Sequence, residues 1–415
     1  MTPRIAIVGS GITGLVAARL LARRHDISVF EAAGRVGGHT HTIPVHLGGE
    51  DHQIDTGFIV FNHKTYPHFT RLLEQLQVPS LETAMSFSVQ CRRTGLEYNG
   101  TSLNTLFAQR ANLLNLGFLG MVRDILRFNR EGPEQAARLP EASVGEFVAA
   151  NRYGQRFRDQ YLGPMGAAVW SCPPDAFLRF PVRFVMTFFA NHGMLQVHGR
   201  PVWRVVRGGS ARYVEALTAP FADRIRLRTP VLGIRRQPDG VHVRTEAGDE
   251  VFDQVVIACH ADQAVAMLED PTPVERNLLG AFPYQENVAV LHTDTSLLPK
   301  NRLAWAAWNY QIPSTASTDV MVTYNMNILQ RLESKHVFCV SLNPDRAIAN
   351  ASVLRRVTYH HPVFTAGREE AQRHHASVIR RNRTSFCGAY WGYGFHEDGV
   401  KSALTVCRAF GEELA

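Results

Sequence analysis

Short apolar runs and longer stretches with an apolar residue every three to four positions alternate along the chain. Ile5-Ala6-Ile7-Val8 is an unbroken apolar run of the kind that suits a strand buried on both faces of a parallel sheet. Residues 15–24 place Leu15, Ala18, Leu21 and Ala22 on one face, which predicts a helix. Ile27-Ser28-Val29-Phe30 predicts a second strand that ends at Glu31. Farther on, helical periodicity recurs at 66–77, 106–128, 144–150, 155–162, 180–192 and 400–410, and strand-like runs at 287–292, 320–325 and 336–342. Asp239-Gly240 between alternating segments predicts a hairpin. No internal repeat is present. The longest apolar candidate for a membrane span, 111–122, is broken by Asn112, Asn115 and two glycines, and is shorter than the ~18 residues that spanning requires.

Between the first strand and the first helix lies Gly9-Ser10-Gly11-Ile12-Thr13-Gly14. Strand, glycine turn, helix, second strand and terminal acid follow in the order of a dinucleotide-binding unit, within about 30 residues. The glycines serve separate ends, namely a tight turn, close approach of backbone to pyrophosphate, and close packing of helix on strand. The N–H groups and dipole at the helix start favour phosphate. Glu31 stands where a carboxylate accepts hydrogen bonds from a ribose diol, and there it would repel the 2′-phosphate of NADP. NAD and FAD share this opening, so later residues must separate them.

Composition narrows the rest. The 415 residues carry 44 Lys and Arg against 37 Asp and Glu, a net charge of +7, with 45% hydrophobic and 20% charged residues. This is the balance of a globular protein of two or three domains, not of a disordered chain. The arginine pairs are isolated, so nothing suggests nucleic acid. The six cysteines are scattered without a Cys-x-x-Cys or other metal-ligand spacing, and are expected to be reduced and structural, with no metal bound. The N-terminus enters its first strand without the basic, apolar and small-residue regions of a signal peptide, so the expectation is a soluble, cytoplasmic protein.

After Glu31 the chain reads Ala32-Ala33-Gly34-Arg35-Val36-Gly37-Gly38-His39-Thr40. The segment resembles the GR-x-GG signature of the superfamily of flavin-containing amine oxidases, protoporphyrinogen oxidases and phytoene desaturases. Further matches are Ile54-Asp55-Thr56-Gly57, Val206-Arg207-Gly208-Gly209-Ser210, Pro230-Val231-Leu232-Gly233-Ile234, Val255 to His260, and Phe386-Cys387-Gly388 through His396-Glu397-Asp398-Gly399-Val400. The resemblance implies FAD rather than NAD, bound non-covalently because no cysteine stands in the attachment context. It carries cofactor contacts onto Gly9, Gly11, Ile12, Thr13, Gly14, Glu31, Ala32, Arg35, Gly37, Gly38, His39, Thr40, Thr56, Gly57 and Phe58. It carries them also onto Val231 (adenine), Ala258, Gly388, Phe395, His396, Glu397, Asp398 and Gly399. The start of the last helix would face the flavin pyrimidine, where backbone N–H groups stabilise the anionic reduced ring.

The implied fold is α/β: a Rossmann-like, discontinuous FAD-binding domain over 1–65, 195–275 and 380–415, with a helical cap and mixed-sheet substrate domain over 66–194 and 276–379. Val255 to His260 would close the FAD-binding sheet. Amine oxidases of the superfamily keep a lysine on a strand beside the flavin, and the comparable stretch from Pro283 to Val290 has none. The segments 163–171, 359–363 and 394–399 resemble a bacterial subgroup similar to the oxidase-like domain of plant cyclopropane fatty acid synthases. That likeness implies a small-molecule or lipid substrate, with dehydrogenation or isomerisation of an acyl chain, and a lipid methyltransferase as a neighbour. Amine oxidation, and an accessory role with FAD as a structural group, are the alternatives.

Within that frame His396 is the candidate catalytic residue, an imidazole suited to orienting substrate or moving a proton. It suits a structural histidine equally well. Tyr310, Tyr324 and Trp391 are expected in the pocket wall. Residues 177–189 are rich in phenylalanine, with Phe180, Phe184, Thr187 and Phe188 on one helical face and Arg179 and Arg183 on another. This pattern fits a tunnel wall, peripheral contact with a membrane surface, or, more commonly, a helix packed inside a core. His360-His361 and His374-His375 are expected to be surface pairs.

Overall fold

A computed structural model describes residues 2–414 except 198, 315–319, 345–347 and 366. β1 (Arg4–Val8), α1 (Ile12–Leu21) and β2 (Asp26–Phe30) form the opening unit. β1 lies in the middle of a five-stranded parallel sheet, in the order Ile225–Arg226, β2, β1, Gln254–Ile257, Thr384–Phe386. Successive β1 side chains point to opposite faces and both faces are covered, so the strand is apolar throughout. Ile5 and Ile7 pack with α1, the helix Ala211–Thr218 and the C-terminal helix His396–Arg408. Ala6 and Val8 pack with an antiparallel meander of Gly233–Gln237, Gly240–Thr245 and Gly248–Phe252, whose first turn is the expected hairpin. The strand from Gln254 does not close the sheet; the three-residue strand Thr384–Phe386, too short to show a period, lies outside it.

β3 (Thr42–Leu47) and β4 (Glu50–Asp55) pair as a hairpin, and β5 (Val60–Asn62) pairs with Trp203–Val206, ahead of α2 (Pro67–Gln75). A second, seven-stranded sheet runs Val353–Pro362, Tyr284–His292, Cys339–Leu342, Val322–Asn325, Trp308–Ile312, Phe87–Cys91, Leu96–Asn99. Its last two strands come from a segment that the pattern assigns to helices. One large apolar core joins this sheet to the helices Leu116–Ala137, Val144–Ala150, Gly163–Trp170 and Val182–Asn191.

Local chemistry sets the helix ends. Ser143 Oγ accepts from the Glu146 backbone N–H at 3.2 Å, and the Glu146 carboxylate accepts from the Ser143 N–H at 2.8 Å, closing a capping box at Val144. The helix expected over 106–128 begins instead at Leu116, where Asn115 caps Phe118 N–H at 3.2 Å, after a 3-10 turn at Arg110–Leu114. The last helix begins at His396, four residues before the expected start, because Asp398 accepts from the Phe395 N–H at 2.9 Å and closes its first turn.

The phenylalanine-rich segment lies inside the core: Phe177, Phe180, Phe184 and Phe188 are buried. Thr187 differs from the expectation. It stands exposed beside Arg183, donating to the Arg183 carbonyl at 2.9 Å, so it does not share the aromatic face. Among the described residues no helix is long and apolar enough to cross a membrane.

Candidate functional site

The glycine turn lies at the carboxyl end of the central strand of the parallel sheet, where β1 feeds α1. A Cβ on Gly14 would collide with the Gly9 carbonyl oxygen, so the helix can approach the strand this closely only with glycine. A Cβ on Gly11 meets nothing within 4 Å; the space over that residue is open. Gly11 is the N-cap of α1 with no side-chain cap, and the first turn holds no acid. Its N–H groups are therefore offered outward, as a phosphate requires. Gly399, in the first turn of the C-terminal helix, packs on Ile12 and Thr13, so the positive ends of two helices converge.

Glu31 is held by three donors: Ser10 N–H at 3.0 Å, Ser10 Oγ–H at 2.5 Å and Ala33 N–H at 2.7 Å. This fixes a carboxylate at the end of β2 beside the turn. An open cradle, free helix N–H groups and a fixed carboxylate fit a dinucleotide. Glu31→Gln, which replaces an acceptor oxygen by a donor, is expected to weaken FAD binding about tenfold, the loss of one charge-assisted bond. Titration of apoprotein with FAD, followed by flavin fluorescence, checks it.

The GR-x-GG segment folds back on the turn: Gly37 N–H donates to the Ser10 carbonyl at 2.8 Å. The Arg35 guanidinium donates to the carbonyls of Gly38 at 2.7 Å and Thr40 at 3.0 Å, bracing the loop that carries His39 and Thr40. Thr40 Oγ bonds the Tyr213 hydroxyl and lies 3.0 Å from His396 Nε2, which is also 3.0 Å from the Tyr213 hydroxyl. The His396 ring stacks on Phe58, 3.5 Å between centroids, with Phe69 at its edge. Burial holds it neutral, well below the ordinary histidine pKa. His396 thus ties the C-terminal helix to Thr40 and Tyr213.

Glu397 and Asp398 cap helices. Glu397 accepts from His68 N–H at 3.0 Å and Phe69 N–H at 2.9 Å, at the start of α2. Asp398 serves its own helix. Gly388 N–H donates to Ser402 Oγ at 3.0 Å, Ala258 N–H donates to the Val8 carbonyl at 2.8 Å, and Val231 is buried in the core flanking β1 and β2. Asp55 is buried where Ser210 N–H, Ser210 Oγ–H and Thr42 Oγ–H converge on it at 2.9, 2.7 and 2.5 Å. It joins the D-x-G and GG motifs; Thr56 next to it donates to the His41 carbonyl at 3.2 Å.

Beside these loops lies a group that the sequence pattern does not single out as a cluster. His39 stacks on Tyr359 at 5.1 Å and meets His361 at 5.4 Å and His260 at 5.9 Å; His260 stacks on Tyr284 at 4.3 Å. Alternation along Val353–Pro362 places Tyr359 and His361 on the inner face and leaves His360 exposed, so only half of the expected surface pair is at the surface. Burial brings His39 and His361 down to about 3, and His41 and His260 to about 4.

A relay fixes the tautomer of His361. Val288 N–H donates to Asn343 Oδ1 at 2.8 Å, Asn343 Nδ2 donates to Asn287 Oδ1 at 2.7 Å, and Asn287 Nδ2 lies 2.9 Å from His361 Nδ1. The chain starts at a backbone N–H, which only donates, so every link has one direction. His361 Nδ1 accepts, and its proton is on Nε2.

Tyr310 and Tyr324 lie on adjacent strands in the large core, Tyr324 opposite Trp308. Trp391 is not with them: it stacks on His375 at 4.2 Å in the core against the parallel sheet, and so takes half of the His374-His375 pair away from the surface. A different set makes the aromatic wall. Phe184 is 4.9 Å from Tyr393 and 4.9 Å from Phe364, and Phe188 is 5.3 Å from Phe395. The helix Val182–Asn191 thereby meets the motif that ends at Gly399. These contacts join positions some 200 residues apart, which no local pattern marks.

A βαβ unit with an uncrowded glycine turn, a fixed carboxylate at the end of its second strand and two convergent helix starts fits a dinucleotide-binding protein. The sequence profile described as flavin containing amine oxidoreductase matches residues 12–324, and the chain belongs to that family, whose cofactor is FAD. It is 27% identical over 287 residues to AofH of Mycobacterium tuberculosis, named as a flavin-containing monoamine oxidase, a match over 65% of this chain. The chain spans 60% of the length of that curated relative. Among solved structures it resembles putrescine oxidase bound to putrescine (TM-score 0.69, 15% identity, 99% of each chain). It also resembles a fatty acid isomerase of P. acnes that produces CLA (TM-score 0.67, 16% identity, 98% of this chain and 99% of that one). At these identities the two structures show the fold.

Proposed function

We propose that the chain is a non-covalent FAD-dependent oxidoreductase that removes a hydride from a C–H bond of a lipid or fatty acyl chain. The observation that supports this reading is the aromatic cluster of Phe184, Phe188, Phe364, Tyr393 and Phe395, which packs the apolar core against the segment that ends in the flavin motif. When bound, FAD supplies the hydride acceptor at its N5 atom. The protein's part is to orient and to shield. The aromatic wall excludes water, which strengthens every electrostatic interaction inside. The convergent helix starts favour negative charge at their mouths. The clustered histidines His39, His260 and His361, neutral by burial, offer hydrogen bonds without adding charge. His361 can only donate through Nε2.

The strand Tyr284–His292 presents Gln285 and Asn287 and no lysine. A lipid surface is this reading's other partner. Leu103, Leu113, Leu114 and Leu116 stand exposed, with exposed Arg110 and Arg123 near them in the chain to meet anionic headgroups. Amine oxidation is the second reading, favoured by the names of AofH and putrescine oxidase.

Anaerobic titration of the FAD-loaded protein separates the two. Fatty acyl chains, free or in phosphatidylglycerol vesicles, are expected to bleach the flavin band, and an amine panel to leave it oxidised. Bleaching by amines alone would overturn the acyl reading.

A further inference from the structure

Arg368 is buried to 1% exposure, at the start of the short helix Arg368–Arg373. Its Nη2 donates to the carbonyls of Tyr390 at 3.2 Å and Gly392 at 2.9 Å, but Nε and Nη1 have no acceptor. Among the described residues no aspartate or glutamate forms an ion pair with it; Asp398 acts on it only through space, without a hydrogen bond. The guanidinium lies over Phe364 at 3.9 Å and 5.4 Å from Phe282. Burial lowers it to about 10 from the ordinary arginine value, still cationic at neutral pH. A buried cation with two N–H-bearing nitrogens lacking acceptors is costly unless an anion completes it.

The surroundings say what kind of anion. Phe364 also lies 4.9 Å from Phe184 and 5.2 Å from Phe180, so the charge stands at the end of the aromatic wall. The carbonyls that Nη2 holds belong to the loop leading to Tyr393 and Phe395. Gln372 Nε2 holds the same two carbonyls at 2.8 and 2.7 Å, so the loop keeps its bracing without Nε or Nη1.

We propose that Arg368 binds the carboxylate of a fatty acid whose chain lies along Phe364, Phe184 and Phe188. The proposal rests on the acyl reading above and narrows it: the substrate is a free acid, its head paired with a guanidinium, and a protonated amine at the same place is repelled.

Binding of laurate, methyl laurate and dodecylamine to the FAD-loaded protein, each below its critical micelle concentration, tests this by calorimetry without turnover. Laurate is expected to bind about tenfold or more tighter than its methyl ester, the range of hydrogen bonds to a charged group. Arg368→Gln is expected to weaken laurate about ten- to a hundredfold and leave methyl laurate unchanged, and Arg368→Lys to recover part of the loss. Equal affinity for laurate and its ester, or Arg368→Gln binding laurate as tightly as the parent, overturns the proposal. Should Arg368→Gln fail to fold, the ligand comparison in the parent decides by itself. Arg368-dependent laurate binding without flavin bleaching would keep the anchor and remove the acyl oxidation. Equal bleaching by acid and ester, unaffected by Arg368→Gln, would do the reverse.

Discussion

Gly11→Val is expected to give a folded protein that holds no FAD, whereas Gly14→Val is expected to prevent folding. The residues stand three apart in one turn, and what a side chain would meet separates them. Gly11 has φ −68° and ψ 176°, which any residue adopts, and a Cβ there meets no protein atom within 4 Å. The valine would occupy the space through which a phosphate reaches the helix start. The expected loss of FAD affinity is at least about a hundredfold, with apoprotein stability unchanged within about 0.5 kcal/mol. At Gly14 the collision is with the Gly9 carbonyl, and the Ala258 Cβ is 3.2 Å away, all of it fixed by the sheet. Such overpacking against backbone costs more than the usual ~1–3 kcal/mol, a large part of a total stability of about 5–15 kcal/mol. Urea unfolding of the apoproteins and flavin absorbance of the purified forms check both. Full FAD content in Gly11→Val would remove the turn from the cofactor site.

That pair also marks where the sequence was legible. The βαβ unit declares itself locally, through an apolar run, glycines at fixed offsets and an acid at the end of β2, and each of these stands where the pattern places it. Helix type was legible as well, but ends shifted where one side chain decides them, as at Asn115 and Asp398. The strands Phe87–Cys91 and Trp308–Ile312 were not legible, because their pairing with each other, across more than 200 residues, is what makes them strands. The same reason hid the histidine cluster. Tyr359 and His361 are two apart, a strand spacing, yet nothing in that segment announces His39 or His260 as neighbours. Trp391 enters a different core from Tyr310 and Tyr324, because aromatic character alone does not say which core a ring enters.

Acidification is expected to unfold the protein steeply between about pH 6 and pH 4.5, and the histidines set the sign. Six of them, His39, His361, His41, His260, His292 and His375, are brought by burial to about 3 or 4. An unfolded histidine takes its proton near 6.5. Their contribution is therefore present above that pH and is lost as pH falls toward the folded values. Three carboxyls act in the opposite sense. Burial raises Asp55 and Asp398 to about 6 and moves Glu397 upward, so the folded state takes up these protons first. Burial lowers His396 and His192 as well. Even with half-exposed His41 discounted for solvent screening, the histidines outnumber the carboxyls. The unfolded chain therefore binds the excess of protons, and stability falls as pH falls.

Each excess proton removes ~1.4 kcal/mol per unit of acidification, against an ordinary total stability of about 5–15 kcal/mol. Four of the six histidines, His39, His41, His260 and His361, lie in or beside the cluster next to Arg35 and the glycine-rich loops, so FAD release is expected to accompany the loss. Urea midpoints at half-unit steps from pH 7 to 4.5, read with flavin fluorescence, measure both. His361→Gln is expected to lower the slope by about one proton, because glutamine cannot titrate. It can still accept from Asn287 through its side-chain carbonyl. A midpoint that stays flat or rises on acidification would mean that the buried carboxyls outweigh the histidines. The histidine cluster would then not be the protein's acid-sensitive element.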